Sequence, residues 1–173
     1  MDARTESEPT PMKNRTTVER KSEREFVVTR SFNGPARLVF EAWTKPELLK
    51  LWWAPKSLGM SLLSCEADVR VGGRYRFVFG HDASKTMAFF GRYLEVIPPS
   101  RLVWTNEEGD GDVITTVTFE EKDGKTLLVL HERHPSKEAV DDAIGFGEGL
   151  RETFEQLDEL LVTLAASSGQ KDK

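Results

Sequence analysis

The sequence has little of several features that mark common classes of protein. Its 173 residues include one cysteine, Cys65, so no disulfide can form within the chain, and a reducing compartment is expected. No segment approaches the roughly 18 consecutive apolar residues of a membrane helix. The N-terminus also lacks the apolar segment of a secretory signal. We therefore predict a cytoplasmic protein without a membrane span.

Positive charge is also scarce, because the net charge is −5. Proteins that bind nucleic acids need a basic surface to contact phosphates. A basic run between Lys13 and Arg24 is interrupted by Glu19 and Glu23 and contains no aromatic residue. It is typical of a solvated tail, and we expect no nucleic-acid partner.

Few residues could hold a metal or a cofactor. The chain has three histidines, and His131 and His134 would point to opposite faces of a strand. The segment "GFGEGL" (145–150) has Leu150 where a dinucleotide fingerprint has its last glycine, and no strand precedes it. We expect neither a metal nor a cofactor. The glycines are interpreted as a bend into the last helix.

Both ends of the chain are polar. Residues 1–23 carry almost no large apolar side chains, so we predict a disordered tail there, and Met12 is an alternative start. Residues 167–173 form a short polar tail of the same kind. Between them, residues 24–166 are predicted to form one domain.

The first part of this domain predicts a strand and two short helices. "EFVVTRSF" alternates and is rich in residues that favour strands. In "NGPARLVFEAW", Asn33 and Gly34 are cap candidates and Pro35 occupies a first helical position. Thr44 and Glu47 have the spacing of a capping box for the second helix.

Six further strands, separated by turn signals such as Gly72-Gly73 and Asp123-Gly124, then form a meander. A short helix is predicted to stop at Gly145. A longer one follows with an apolar stripe from Leu150 to Leu164. The order predicts an α+β protein with a seven-stranded curved antiparallel sheet, two short helices after the first strand and a long C-terminal helix across the sheet.

Several segments resemble the START-like SRPBCC superfamily, whose fold is called the helix grip. The similarity covers about residues 24–164, and the branch it resembles is the C-terminal domain of the heat-shock protein 90 ATPase activator. The segments that carry it are "ARLVFEAWTKPELLKLWW", "CEADVRVGGRYRF", "FFGRYLEVIPPSRLVWT" and "TTVTFEEKDGKTLLVLHE". This chain departs from many relatives in reading "GFGEGLRETF", without a Gly-Trp pair, where the last helix opens.

The resemblance implies a ligand cavity between the sheet and the long helix. Members of the superfamily bind lipids, hormones or polyketides, cyclise polyketides or assist a chaperone, and the fold does not decide among these roles. The activator has an additional N-terminal domain that contributes to binding its partner. Residues 1–23 cannot replace that domain, which argues against a chaperone partner, and a chaperone-associated stress protein stays an alternative to ligand binding. The sequence leaves a homodimer open.

A small hydrophobic molecule is the expected partner, and strand alternation predicts which side chains face it. For the adjacent Trp52 and Trp53, which point about 100° apart on a helix, we predict Trp53 at the cavity mouth. The alternative is that the inward side chains fill the core completely. The predicted ligand-binding residues are Trp53, Tyr75, Phe77, Phe79, Trp104, Val117, Phe119, Leu130, Phe154 and Leu157.

Catalysis is another alternative to simple binding, in an enzyme similar to polyketide cyclases or hydrolases. If Leu130 faces inward, so does Glu132, and a carboxylate in apolar surroundings could act as a general acid or base. With the opposite register His131 takes that position. Tyr75 and Arg92 are the candidate partners. The competing interpretation of Glu132 is a solvated salt bridge at the edge of the sheet.

Overall fold

One antiparallel sheet organises the chain in the computed structural model, which describes residues 16–82, 84–109 and 111–171. The eight strands follow the order β1-β2-β8-β7-β6-β5-β4-β3, so β3 to β8 form a meander. The strands are β1 (Thr17–Ser22), β2 (Glu25–Phe32), β3 (Ser61–Ala67), β4 (Arg74–Asp82), β5 (Lys85–Ile97), β6 (Arg101–Asn106), β7 (Val113–Lys122) and β8 (Lys125–Arg133). The helices are α1 (Ala36–Thr44), α2 (Pro46–Trp52), a 3-10 turn (Lys56–Leu58) and α3 (Lys137–Lys171). The predicted helix-grip fold is confirmed, with one more strand than expected.

The additional strand is β1, which lies inside the segment predicted to be a disordered tail. That prediction is wrong for Thr17–Ser22, and residues 1–15 lie outside the described residues. The strand pairs with β2 through its backbone, and an edge strand needs no apolar side chains to do so. Arg20 also bonds Asp141 of α3 at 2.6 Å. Apolar content alone could not reveal these polar contacts.

Helix α1 begins with a cap different from the one predicted. The Ala36 N–H donates to the carboxylate of Glu121 at 2.9 Å, so a distant strand supplies the cap. The predicted capping box of Thr44 and Glu47 does not form. The Thr44 hydroxyl donates instead to the Phe40 carbonyl at 2.9 Å, and α2 starts after Lys45 without a side-chain cap.

The C-terminal region is one helix of 35 residues. The predicted stop at Gly145 and the separate polar tail are both corrected, since the helix continues to Lys171. Glycine costs a helix about 1 kcal/mol per residue, but Val140 and Leu150 are buried on either side of the glycine segment. Their packing offsets that cost. Across the described residues, no helix combines the length and apolar character that a bilayer crossing requires.

A buried ion pair fixes α3 against the inner face of the sheet. Arg30 of β2 is 2% exposed, and its guanidinium contacts Asp158 at 2.7 Å and Glu155 at 3.2 Å. The guanidinium also lies 4.8 Å from the centre of the Phe32 ring. These contacts position the C-terminal half of α3 over β2.

Candidate functional site

A cavity of about 400 Å³ opens beside α3 on the inner face of the sheet. Its volume falls in the usual range for small-molecule sites. The wall comes mainly from β4 to β8, with one residue after α2 and one on α3. The lining residues are Trp53, Tyr75, Phe77, Phe79, Met87, Phe89, Trp104, Asn106, Glu108, Val113, Leu130, Glu132, His134 and Ala143.

The cavity exists because one end of the inner face is filled and the other is not. At the filled end, which we call the closed end, aromatic rings from the sheet and from helices α1 and α3 contact one another. Its members are Phe32, Phe40, Trp43, Phe119 and Phe154, with ring centres 5.4 to 6.2 Å apart in the contacting pairs. At the opposite end, the open end, no such cluster fills the space over Tyr75, Phe77, Phe79, Leu130 and Glu132 within the described chain.

The tryptophan cluster at 43–53 divides between these two ends. Trp43 and Trp52 are buried, and Trp52 donates its indole N–H to the Ala42 carbonyl at 3.0 Å. Trp53 packs against both, at 5.3 and 5.0 Å between ring centres, and also lines the cavity. The cluster thus fixes the helical corner and presents one ring to the cavity.

The predicted ligand-binding residues separate in the same way. Trp53, Tyr75, Phe77, Phe79, Trp104 and Leu130 line the cavity. Val117, Phe119, Phe154 and Leu157 do not line the cavity and belong to the hydrophobic core. Strand alternation identified the inward face correctly for the strand residues of both groups. It could not show where along that face the helices stop.

A chain of polar contacts crosses one side of the open end. The Tyr75 hydroxyl lies 2.6 Å from the Thr105 carbonyl and 2.8 Å from Asn106 Oδ1. The Asn106 amide donates to the Thr115 hydroxyl at 2.9 Å. That hydroxyl donates to Glu132 Oε2 at 3.1 Å. An otherwise apolar cavity therefore has one polar wall.

A glycine makes room for this wall. A Cβ on Gly91 of β5 would lie 2.0 Å from the Thr105 carbonyl oxygen, which is the oxygen that accepts from Tyr75. Any other residue would push β5 and β6 apart at this point. The glycine in "FFGRYLEVI" is therefore a structural requirement of the polar wall.

His134, which directly follows β8, completes the polar wall, although the sequence did not single it out as a site residue. Its N–H donates to the Arg24 carbonyl at 2.7 Å, which continues the extended chain past β8. Its ring is 6% exposed and stacks on Phe26 at 5.7 Å. His134 Nε2 lies 3.0 Å from Glu132 Oε1. Leu128, Leu130 and Glu132 alternate along β8, and extending this alternation by two residues would have placed His134 on the same inner face.

Glu132 is 8% exposed and faces the cavity. The alternative interpretation of Glu132, a solvated salt bridge at the edge of the sheet, is therefore wrong.

The other two catalytic candidates, His131 and Arg92, do not face the cavity. His131 points away from the cavity and contacts Glu25 at 2.6 Å, a bond that lowers the pKa of Glu25. Arg92 also points outward and contacts Glu107 at 2.7 Å, because β5 alternates with Gly91 and Tyr93 on the inner face.

Burial disfavours the charged form of several ionisable groups on this face. It raises the pKa of Tyr75 and of Tyr93 well above the ordinary range, so both hydroxyls keep their protons at neutral pH. It also raises the pKa of the Cys65 thiol to about 11, which leaves little thiolate for nucleophilic chemistry. Among residues 16–82, 84–109 and 111–171, no cluster of His, Cys, Asp or Glu could hold a metal ion.

The helix-grip fold and the apolar cavity with a polar wall are typical of START-like proteins. The family described as "Activator of Hsp90 ATPase homolog 1-like protein" matches residues 33–162, and the chain belongs to that family. The predicted resemblance is thereby confirmed.

Solved structures share the fold. A Rhodobacter sphaeroides protein superimposes with a TM-score of 0.79 at 22% identity, over 86% of this chain and 99% of that one. A Nitrosomonas europaea protein gives 0.74 at 28% identity, over 84% and 99%. A Chromobacterium violaceum protein gives 0.65 at 29% identity, over 79% and 96%. No curated protein matches the chain.

Proposed function

We propose that this protein binds a small hydrophobic molecule in the cavity at the open end. The cavity itself carries the proposal: about 400 Å³ is left between the sheet and α3. Its wall is mostly aromatic, and apolar pockets with a few convergent polar groups are the usual binding sites for small molecules. The family assignment and the helix-grip fold support the same role.

Native mass spectrometry of freshly purified protein, followed by denaturation, tests whether a molecule is bound. We expect a reproducible adduct of a few hundred daltons that is released when the protein unfolds. Such a mass corresponds to what a cavity of this size can enclose.

A cavity-blocking variant locates the adduct. Ala143 lines the cavity from α3, so Ala143→Trp should fill part of it and remove most of the adduct. Val162→Trp on the same helix is the matched control, because Val162 is 68% exposed and its substitution leaves the cavity open. An adduct that survives Ala143→Trp, in a variant with unchanged circular dichroism, would place the ligand elsewhere and overturn the proposal.

Acid–base catalysis is a second candidate, favoured by the environment of Glu132. Its carboxylate is held between Thr115 and His134 at the cavity wall, which is a suitable position for proton transfer to a bound molecule. Of the two side chains predicted to assist Glu132, Tyr75 and Arg92, Tyr75 is the one that lines the same cavity.

A chromogenic ester such as p-nitrophenyl butyrate tests the hydrolase form of this candidate. If Glu132 is the general base, Glu132→Gln should reduce turnover by about a hundredfold or more. Retention of the native adduct in the variant would separate catalysis from binding. His131→Gln, on the outer face, serves as the control and should leave turnover unchanged. Equal turnover in wild type and Glu132→Gln would eliminate this role of Glu132.

A further inference from the structure

Hydrogen-bond donors on the polar wall are largely consumed within the protein. Tyr75 has one hydroxyl hydrogen, and both oxygens near it, on Thr105 and Asn106, are acceptors. The Thr115 hydroxyl hydrogen goes to Glu132. His134 Nε2 must carry a hydrogen, because the carboxylate oxygen 3.0 Å away can only accept. Only the second N–H of the Asn106 amide is left to donate along this chain of contacts.

Acceptors, in contrast, remain available. A carboxylate has about four lone-pair sites, and each oxygen of Glu132 uses one for Thr115 or His134. Glu108, an exposed residue that also lines the cavity, adds a second carboxylate near the mouth. The polar wall therefore favours a ligand group that donates hydrogen bonds.

The charges on the cavity wall also favour a ligand group that donates hydrogen bonds. The cavity wall includes the carboxylates of Glu108 and Glu132 and the imidazole of His134, but no lysine or arginine within the described part of the chain. An anionic head group would meet two carboxylates without a fixed cation, and such like-charge contact is costly in a poorly solvated site.

We infer that the ligand is an apolar molecule with a hydrogen-bond-donating head group, a hydroxyl or a protonated amine, and that the site rejects carboxylates such as fatty acids. The apolar body would lie against Phe77, Phe79 and Trp104, with the head group at Glu132. This inference rests on the proposed binding function and specifies its ligand class.

Three probes with the same ten-carbon chain test it: decylamine, 1-decanol and decanoate. Binding is measured at neutral pH, below micelle formation, by titration calorimetry and by the change in tryptophan fluorescence, since Trp53 and Trp104 line the cavity. We expect decylamine and decanol to bind, and decanoate to bind at least about tenfold more weakly than either.

Variants assign the discrimination to the polar wall. Glu132→Gln keeps the side-chain shape but removes the charge, so it should strengthen decanoate binding severalfold and reduce the preference for decylamine. Glu108→Gln at the exposed mouth should act in the same direction more weakly, and it keeps the test valid if Glu132→Gln folds poorly. Glu120→Gln removes an equal charge from an exposed position on β7 that does not line the cavity, and it should leave the preference unchanged.

The possible failures are distinguishable. If none of the three probes binds, the proposed binding function itself loses its support. If decanoate binds as well as the other two, or better, the ligand class is wrong while the binding function stands. If wild type discriminates but the Glu132 and Glu108 variants discriminate equally well, the polar wall is not the origin of the selectivity, and the inference is overturned.

Discussion

The closed end and the open end of the sheet share β7 and β8 but differ in what covers them. On β8, Leu128 is fully buried in the core, whereas Leu130 and Glu132 line the cavity. On β7, Phe119 packs against Phe40 of α1 at 5.4 Å, whereas Val113 faces the cavity. Moving along one face of one strand therefore leads from packed core to open volume.

Polar side chains follow the same division. At the closed end the buried charge of Arg30 is neutralised by two carboxylates of α3, so it contributes to folding. At the open end Glu132 bonds Thr115 and His134, and no lysine or arginine of the described residues lines the cavity. Buried carboxylates are usually paired, and the weaker pairing of Glu132 distinguishes a candidate binding group from a structural one.

The largest expected effect comes from removing equal rings at the two ends. Phe154→Ala should lower the free energy of unfolding by about 3–5 kcal/mol, because the ring is fully enclosed and leaves a void. Phe79→Ala should cost about half as much, since that ring already faces empty space and has fewer contacts to lose. Denaturant unfolding of both variants measures the difference. Equal losses would mean that the cavity wall is as tightly packed as the core.

A smaller effect is expected from the ion pair that anchors α3. Asp158→Ala leaves the exposed Glu155 as the one remaining carboxylate that contacts the buried guanidinium of Arg30 among the described residues, and it should destabilise the fold by about 3 kcal/mol. Glu155 contacts the same guanidinium but is 71% exposed, so Glu155→Ala should cost less than about 1 kcal/mol. Thermal unfolding at matched pH compares the two. A larger loss for Glu155→Ala would contradict the assignment of Asp158 as the principal partner.

The smallest effect concerns Glu107, the outward neighbour of the cavity residue Glu108. The pKa of Glu107 is lowered, first by the hydrogen bond from Thr105 at 2.6 Å and then by Arg74 and Arg92. Its contribution to stability is therefore present above the unfolded pKa of about 4.3 and is lost as the pH falls through the lower folded value.

Two variants test this titration. Thr105→Val should raise the pKa of Glu107 towards its ordinary value, which carboxyl NMR titration measures directly. Glu107→Gln should make the free energy of unfolding fall less steeply as the pH drops below about 4.3. An unchanged pKa in Thr105→Val would show that the arginines, and not the hydroxyl, hold this carboxylate in its charged form.

Strand periodicity predicted much of the candidate site. Tyr75, Phe77 and Phe79 alternate with Arg74 and Arg76, and the structure places the aromatic set inward. Period two assigns a face because successive side chains point to opposite sides of a sheet. Periodicity carries no information on where a helix from another part of the chain ends, which is why Phe119 and Phe154 were grouped with the cavity.

Several of the predictions that failed concern contacts outside the segment from which each prediction was made. Polar residues 17–22 form a strand because β2 offers a free edge, and α3 continues past Gly145 because its flanking turns are packed. The cap of α1 comes from Glu121, 85 residues away. No local pattern encodes such partners.

The amino-acid sequence by itself determined the order of strands β2 to β8 and of the two short helices, the inward faces of the strands and the family, since these depend on local periodicity, turn chemistry and motif spacing. Only the tertiary structure decided that a volume stays open between α3 and β4, that His134 joins Glu132, and that Arg92 and His131 face outward. These features depend on how distant elements cover one sheet, and packing in three dimensions sets them.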